Sequence, residues 1–245
     1  MKVSVSIVSH GQAALVGKLL DDLTRLAPDG IEVIVTENVP EGLDLSRHAF
    51  PFEVTMVRNP KRKGFGANHN AAFARAGGKF FAVLNPDIRL LDDPFPSLCE
   101  AAAEQGIGVA APVVLSPAGA VEDSARRFPT PAALARRLLV GSHGKDYPIV
   151  GARIAPDWVA GMFMLFSRGS FEAVSGFDEH YFLYYEDVDL CWRLREAGLV
   201  AAVVTGARVV HDARRDSHRK LTYLRHHLAG MFRFLLRRSR SPFRR

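Results

Sequence analysis

The chain has only two cysteines in 245 residues, Cys99 and Cys191, too few for a disulfide framework and too far apart for a Cys/His zinc site. Both lie among apolar residues at helical spacing, which predicts reduced, buried thiols in a cytosolic protein. No run of about 18 uninterrupted apolar residues occurs, so no membrane-spanning helix is predicted. Residues 1–9 are too short and too strand-like for a signal peptide, and a cytoplasmic location is expected. Internal repeats and low-complexity tracts are missing too. Acids are scarce in one place only. Residues 214–245 hold eleven Lys+Arg against Asp216, a charge of +10, while the rest holds 21 basic and 25 acidic groups, a charge of −4. The formal +6 therefore belongs to a C-terminal arm. A nucleic-acid-binding body would carry its basic face on the fold itself, so the charge distribution argues against that class.

What is present is an ordinary globular composition, 48% hydrophobic and 24% charged. Apolar, β-branched runs at Val3–Ser9, Ile31–Thr36, Glu53–Arg58 and Lys79–Leu84 read as strands. Between them, Leu15, Leu19, Leu20, Leu23 and Leu26 mark a helix that Pro28-Asp29-Gly30 breaks, and Ala67–Ala76 is a helix of small residues. Strands alternating with helices predict an α/β domain with a mostly parallel central sheet covered on both faces. Past residue 106 the pattern predicts shorter strands and Pro/Gly turns, with a helix at Ala132–Val140. Trp158–Ser167 reads as one strand, Glu186–Ala197 as a helix, and Leu199–Val210 as a closing strand.

The stretch Tyr184-Tyr185-Glu186-Asp187-Val188-Asp189-Leu190-Cys191-Trp192-Arg193 carries the most chemistry. Asp187, Leu190, Cys191 and Leu194 share one helix face, apolar except for Asp187, which therefore points inward. An inward carboxylate at a helix N-terminus suits a general base; three acids there also complement the helix dipole. Asp189 lies on another face, one turn before Arg193, where an i,i+4 ion pair is available.

In open parallel sheets, ligands bind beyond the carboxyl ends of the strands. Ser9-His10-Gly11, Thr36-Glu37-Asn38 and Asn85-Pro86-Asp87 all sit at such ends and outline one site. Pro86 fixes the turn and leaves Asp87 at the rim, where a carboxylate suits a hard divalent ion. Gly64-Phe65-Gly66-Ala67-Asn68-His69-Asn70 opens a helix whose N–H groups suit phosphate. It lacks the third glycine of a dinucleotide fingerprint, so a Rossmann cofactor site is rejected. Asn68 and Asn70 serve equally well as helix caps or ligand contacts. His211 has two readings, a partner of Asp87 on a divalent ion or a structural histidine.

Taken in order, these stretches, with Asp157-Trp158-Val159-Ala160-Gly161 and Gly176-Phe177-Asp178-Glu179, resemble the inverting glycosyltransferases of family 2, narrowly the bacterial rhamnosyltransferase-like branch. The resemblance runs from residue 3 to about 215 and implies a GT-A fold. It implies that Asp87 holds Mg²⁺ or Mn²⁺ on a nucleotide diphosphate, that His211 approaches that ion, and that Asp187 is the catalytic base. Ser9, His10, Glu37, Gly64, Asn68 and Asn85 fall on the nucleotide side; Asp157, Trp158 and Glu186 fall on the donor and acceptor rim. The implied partners are a dTDP- or UDP-linked sugar and a saccharide or lipid-linked acceptor. Two departures concern the nucleotide: Glu37 stands where relatives usually carry aspartate, and Ser9-His10-Gly11 replaces the common Ser-Tyr-Asn.

Residues 1–215 form the predicted transferase domain and 216–245 a basic amphipathic arm. Leu221, Leu224, Leu228, Met231, Phe232, Leu235 and Leu236 recur at spacings near three to four, interleaved with arginines. Two readings stay open: peripheral contact of residues 217–245 with the inner face of the plasma membrane, or packing on the domain or on a second copy in a homodimer.

Overall fold

A computed structural model describes residues 2–26, 29–45, 48–140, 145–212 and 221–241. The helix break at Pro28 and His218 of the arm lie outside them. The elements in chain order begin with β1 (Val3–Ser9), α1 (Ala13–Leu26), β2 (Ile31–Glu37), β3 (Glu53–Arg58), α2 (Phe65–Phe73), β4 (Phe80–Leu84) and β5 (Ile88–Leu90). There follow α3 (Phe95–Ala103), β6 (Ile107–Leu115), β7 (Ala125–Arg126), α4 (Pro131–Val140), β8 (Arg153–Ile154), β9 (Trp158–Val159), β10 (Phe163–Ser167) and α5 (Arg168–Ala173). The last are α6 (Glu186–Glu196), β11 (Val200–His211) and α7 (Leu221–Arg240).

The main sheet runs β3-β2-β1-β4-β10-β6-β11-β5, with β8 also on β11. Its first four strands are mutually parallel, β10 enters antiparallel between β4 and β6, and β6 and β11 are parallel. Side chains alternate across this sheet and build two cores. Val3, Val5, Ile7, Phe80, Ala82, Leu84, Phe163 and Leu165 face α1 and α3. Phe81, Val83, Met164 and Phe166 face the other way, in the core that holds Phe171 of α5, Leu190 and Trp192 of α6 and Phe234 of α7. Helices therefore cover both faces, as the alternation predicted.

Several local expectations change. β1 is not apolar throughout. Ser4 and Ser6 are fully buried, Ser4 Oγ donating to Glu32 (2.6 Å) and Ser6 Oγ meeting His69 Nδ1 (2.8 Å). Buried hydroxyls are tolerated because each has a partner. Residues 107–115 form a nine-residue central strand rather than a short one. The span 158–167 is two strands: β9 pairs with β7 in a separate ribbon, β10 joins the main sheet, and Ala160-Gly161-Met162 turns between them. α3 and α5 were not anticipated. Cys99 and Cys191 are free and buried as expected, their thiols pushed up to about 12 chiefly by that burial.

Candidate active site

β1, β2 and β4 lie side by side and parallel, so Ser9, Glu37 and Asn85 finish at one edge of the sheet. Beyond β4 the chain turns into β5, which pairs antiparallel with the end of β11 and sets His211 opposite Ile88. That register brings His211 Nε2 to 3.3 Å from Asp87 Oδ2, while the Asp212 N–H donates to the Asp87 carbonyl (2.9 Å). The other ring nitrogen of His211 lies 2.8 Å from Glu122. Burial works against a charged ring here, but the hydrogen bonds that the ring donates to the two carboxylates outweigh it and hold His211 above its ordinary value. Glu122 was not singled out in the sequence; it follows β6 and precedes β7 in a stretch without periodicity.

Asp187 stands at the start of α6, half-buried, on the face shared with Leu190, Cys191 and Leu194, which are all buried. Its Oδ2 accepts the Gly161 N–H (3.0 Å) and its Oδ1 the Val188 N–H (2.8 Å). Burial raises its pKa above the usual carboxylate range; the backbone donors and the charge of Arg126 oppose that rise. The turn that holds Asp187 also holds the other carboxylate's strand end, because the Asn85 N–H donates to the Met162 carbonyl (2.9 Å). One three-residue turn thus links the two acids that lie 100 residues apart in sequence. Glu186, beside Asp187, is 5% exposed, and its Oε2 has no hydrogen-bond partner among the described residues. Burial first, and the Asp187 charge second, push its carboxyl well up.

The expected i,i+4 ion pair between Asp189 and Arg193 is formed, but in a different setting. Asp189 is not at the surface but fully buried, accepting from Arg193 Nε (2.7 Å), Tyr181 Oη (3.1 Å) and Arg237 of α7 (3.2 Å). It ties α6 to the C-terminal helix.

The predicted nucleotide residues divide into two groups. Ser9, Glu37 and Asn68 are buried and engaged within the protein. Ser9 Oγ accepts the Gln12 N–H (3.3 Å). Glu37 receives the Glu41 and Leu43 N–H groups and Arg58 Nε (2.9, 3.2 and 3.0 Å), which together hold its carboxyl below the usual range despite burial. Asn68 donates to the Gly64 carbonyl (2.9 Å) and accepts from Asn59 (2.6 Å). Asn38 links this network to His10, receives the Lys63 N–H (2.9 Å), and so shapes the 59–64 loop. His10 and Asn85 are only half-buried. The N-terminus of α2 is not open: the Phe65 N–H donates to the Phe182 carbonyl (2.9 Å), and a Cβ at Gly64 would meet that oxygen at 2.7 Å. Asn70 serves neither as a cap nor at the strand ends, but clamps Phe177 through both its N–H and its carbonyl (2.9 Å each). A groove of about 480 Å³ beside α2, bordered by Arg62, Lys63, Asn70, Glu179 and Phe182, includes neither Asp87 nor Asp187.

On the expected rim, Trp158 is buried with its indole N–H on the Arg127 carbonyl (3.0 Å) and the Arg126 guanidinium 5.6 Å from its ring. Asp157 accepts the Phe128 N–H (2.9 Å). Both pin residues 126–128, and through that strand they carry Arg126, whose charge acts on Asp187.

The donor set suits a divalent ion of the Mg²⁺ or Mn²⁺ kind. Asp87 Oδ1 is buried without a partner among the described residues, and the neighbouring His211 would supply Nε2 on giving up its proton. Among the described residues no three His, Cys, Asp or Glu side chains surround one point. Mg²⁺ commonly takes only one or two protein ligands and leaves the rest to phosphate and water.

A mixed sheet whose parallel strand ends meet an acid-bearing helix N-terminus is the architecture of the GT-A fold. This architecture recurs in a mannosyltransferase from Pyrobaculum calidifontis solved with GDP-Man and Mn²⁺ (TM-score 0.69, 18% identity, 98% of this chain and 66% of that one). It recurs again in GalNAc-T7 solved with UDP, GalNAc and Mn²⁺ (TM-score 0.67, 15% identity, 88% of this chain and 44% of that one). Family membership comes from sequence: the family model described as Glycosyl transferase family 2 matches residues 4–148, and the chain belongs to that family. It is 29% identical to rhamnosyltransferase WbbL of Escherichia coli K12 over 96% of this chain and 93% of that protein. It is 33% identical to the N-acetylglucosaminyl-diphospho-decaprenol L-rhamnosyltransferase of Mycobacterium tuberculosis H37Rv over 58% of this chain and 53% of that protein.

Proposed function

We propose that this glycosyltransferase moves L-rhamnose from dTDP-L-rhamnose, with inversion, to a hydroxyl of a saccharide or lipid-linked acceptor in bacterial surface polysaccharide assembly. The names of the two curated relatives support the sugar and the lipid-linked acceptor. The observation that carries the chemistry is the shared turn, with Gly161 on Asp187 and Met162 on the strand end before Asp87. In this reading Asp187 removes the proton from the acceptor hydroxyl, whose oxygen attacks the anomeric carbon opposite the leaving diphosphate. The Gly161 and Val188 N–H groups hold the carboxylate oriented for that transfer. Asp87 and His211 would hold the Mg²⁺ or Mn²⁺, which when bound neutralises charge on the diphosphate. The solved neighbours that carry Mn²⁺ support a divalent ion without choosing which.

Asp187→Asn tests the assignment. Turnover should fall about 10²- to 10⁴-fold while nucleotide binding persists; undiminished turnover removes Asp187 from this role. A UDP-hexose donor is the alternative, since neighbours were solved with UDP and UDP-GlcNAc. Thermal shifts with dTDP, UDP and GDP, each with and without Mn²⁺, separate the two.

The arm favours a lipid surface. Leu224, Leu228, Phe232 and Leu236 recur every fourth residue on α7 and are 55%, 49%, 64% and 41% exposed, with Arg225 and Arg240 alongside. An apolar stripe edged by arginine complements anionic headgroups. Among the described residues no helix is long and apolar enough to cross a membrane. Co-sedimentation with anionic vesicles should be lost in a Leu228→Ser, Phe232→Ser variant. Unchanged vesicle binding, or a change in oligomeric state instead, would assign the stripe elsewhere.

A further inference from the structure

Resting on the assignment of Asp187 as base, we propose that Gly230 of α7 is a positioning residue for it, acting through the two tyrosines that precede α6. Tyr184 and Tyr185 have φ of 69° and 70°, consecutive left-handed residues with side chains that disfavour that conformation. Tyr185 is the N-cap of α6, and its own side chain makes no capping hydrogen bond. Such a turn persists only where its surroundings impose it.

α7 supplies those surroundings. It crosses the turn at Gly230, where a Cβ would lie 2.7 Å from the Tyr184 carbonyl oxygen and 3.1 Å from Tyr185 Cβ. The backbone of α7 therefore rests directly on the turn, which no larger residue permits without displacement. One helical turn earlier, the His227 ring lies 5.7 Å from the Tyr184 ring and 5.2 Å from that of Tyr185. One turn later, Phe234 is fully buried 6.0 Å from Tyr185. On the other side Phe182 is pinned to the start of α2. Residues 182–185 are thus gripped between two helices, and Asp187 follows within one helical turn. A shift of this turn moves the Asp187 carboxylate relative to the Gly161 N–H and hence to the acceptor.

The test compares Gly230→Ala with Gly17→Ala, a helical glycine of α1 whose added Cβ would meet nothing within 4 Å. A misplacement near 1 Å can cost about 100-fold in rate, so kcat in Gly230→Ala should fall about 10- to 100-fold with donor KM unchanged. The acid limb of its pH–kcat profile should also move upward, as the Asp187–Gly161 hydrogen bond weakens. Gly17→Ala should match wild type. If Gly230→Ala fails to fold, His227→Ala removes a ring from the turn without adding bulk, and it should lower kcat several-fold with the same pattern. Wild-type kcat and pH profile in whichever variant folds overturns the inference, as does a kcat loss matched by lost folded protein. The two failures are distinguishable. Full turnover in Asp187→Asn defeats the assignment of the base and this inference with it. An inactive Asp187→Asn beside a fully active Gly230→Ala defeats this inference alone.

Discussion

Asp189→Asn keeps the shape of the side chain and removes its charge at an acid that is fully buried. Two guanidiniums depend on that charge: Arg193, 13% exposed at its side chain and 2.7 Å away, and Arg237, 37% exposed and 3.2 Å away. Breaking a buried ion pair by removing one partner costs about 3–5 kcal/mol, since the remaining charge stays desolvated. Arg193 is that remaining charge. Its Nη1 donates to the Val174 carbonyl and its Nη2 has no partner among the described residues, so no second acid stands ready to replace Asp189. Arg237 reaches water, and its share is about 1 kcal/mol or less. Asparagine retains one accepting oxygen for Tyr181 or Arg193, which places the total near the lower bound, about 3 kcal/mol. For a chain of this length each kcal/mol lowers Tm by about 2–4 °C, so Asp189→Asn should melt about 6–12 °C below wild type. Thermal unfolding followed by circular dichroism measures this directly, and Arg237→Ala should lose no more than about 4 °C in the same experiment. A Tm for Asp189→Asn within about 3 °C of wild type would refute the claim that this acid is a buried hub joining α6 to α7.

Three further outcomes follow from the electrostatics. Because burial raises the pKa of Asp187 and a base in the proposed role must be ionised, the acid limb of kcat should lie above the ordinary aspartate value of about 3.9, read from a pH–rate profile at saturating donor. Glu186 is raised in the folded state, so the unfolded chain releases its proton first and stability falls as pH climbs from the unfolded value towards the raised one. Glu186→Gln should flatten that decline and leave the protein more stable at neutral pH, measured as Tm against pH. His69 runs the opposite way: burial lowers it to about 3 from 6.5, so the unfolded state takes up a proton first on acidification and stability drops between those two values. A His69→Gln variant that folds should show a shallower loss of Tm over that window.

The parts of the fold that were readable in the sequence are those where one periodicity runs uninterrupted. Val3–Ser9, Ile31–Glu37 and Phe80–Leu84 lie at the centre of a sheet with helices on both faces, and their β-branched and apolar residues announced them together with the candidate site at their ends. β6 was obscured by Pro112, a residue that argues against a central strand. It is accommodated because β11 bulges there: its pairing jumps from Val204 with Pro112 to Arg208 with Val113. Gly161 hid in the opposite sense, inside an apolar stretch that reads as one strand, although glycine within such a run also marks a close approach. Here the approach is an ordinary one, since an added Cβ would come no nearer than 3.4 Å to the Phe65 ring and 3.6 Å to Asp187 Cβ, and Gly161 meets Asp187 through its backbone N–H. Glu122 and Asn59 acquire meaning only through partners from distant segments, and no local pattern encodes such pairings.

The acidic cluster at the head of α6 demonstrates how helical geometry turns neighbours in sequence into separate chemistries. Successive residues on a helix are rotated by about 100°, so Glu186, Asp187 and Asp189 cannot share an environment. Asp189 is rotated into the protein towards Arg193 and Arg237, where its charge is neutralised and serves cohesion. Glu186 is buried where no donor meets its Oε2, a place that favours its neutral form. Asp187 alone combines partial exposure with two backbone donors, so it can stay ionised and still reach a solvent-borne hydroxyl. Swapping the first two residues, Glu186→Asp with Asp187→Glu, preserves the net charge and the helix dipole but exchanges the two settings. Proton transfer is sensitive to placement on the 1 Å scale, so the swapped enzyme should lose about as much turnover as a misplaced base, 100-fold in order of magnitude. Retained activity would mean that the charge of the cluster, rather than the position of one oxygen, drives the reaction.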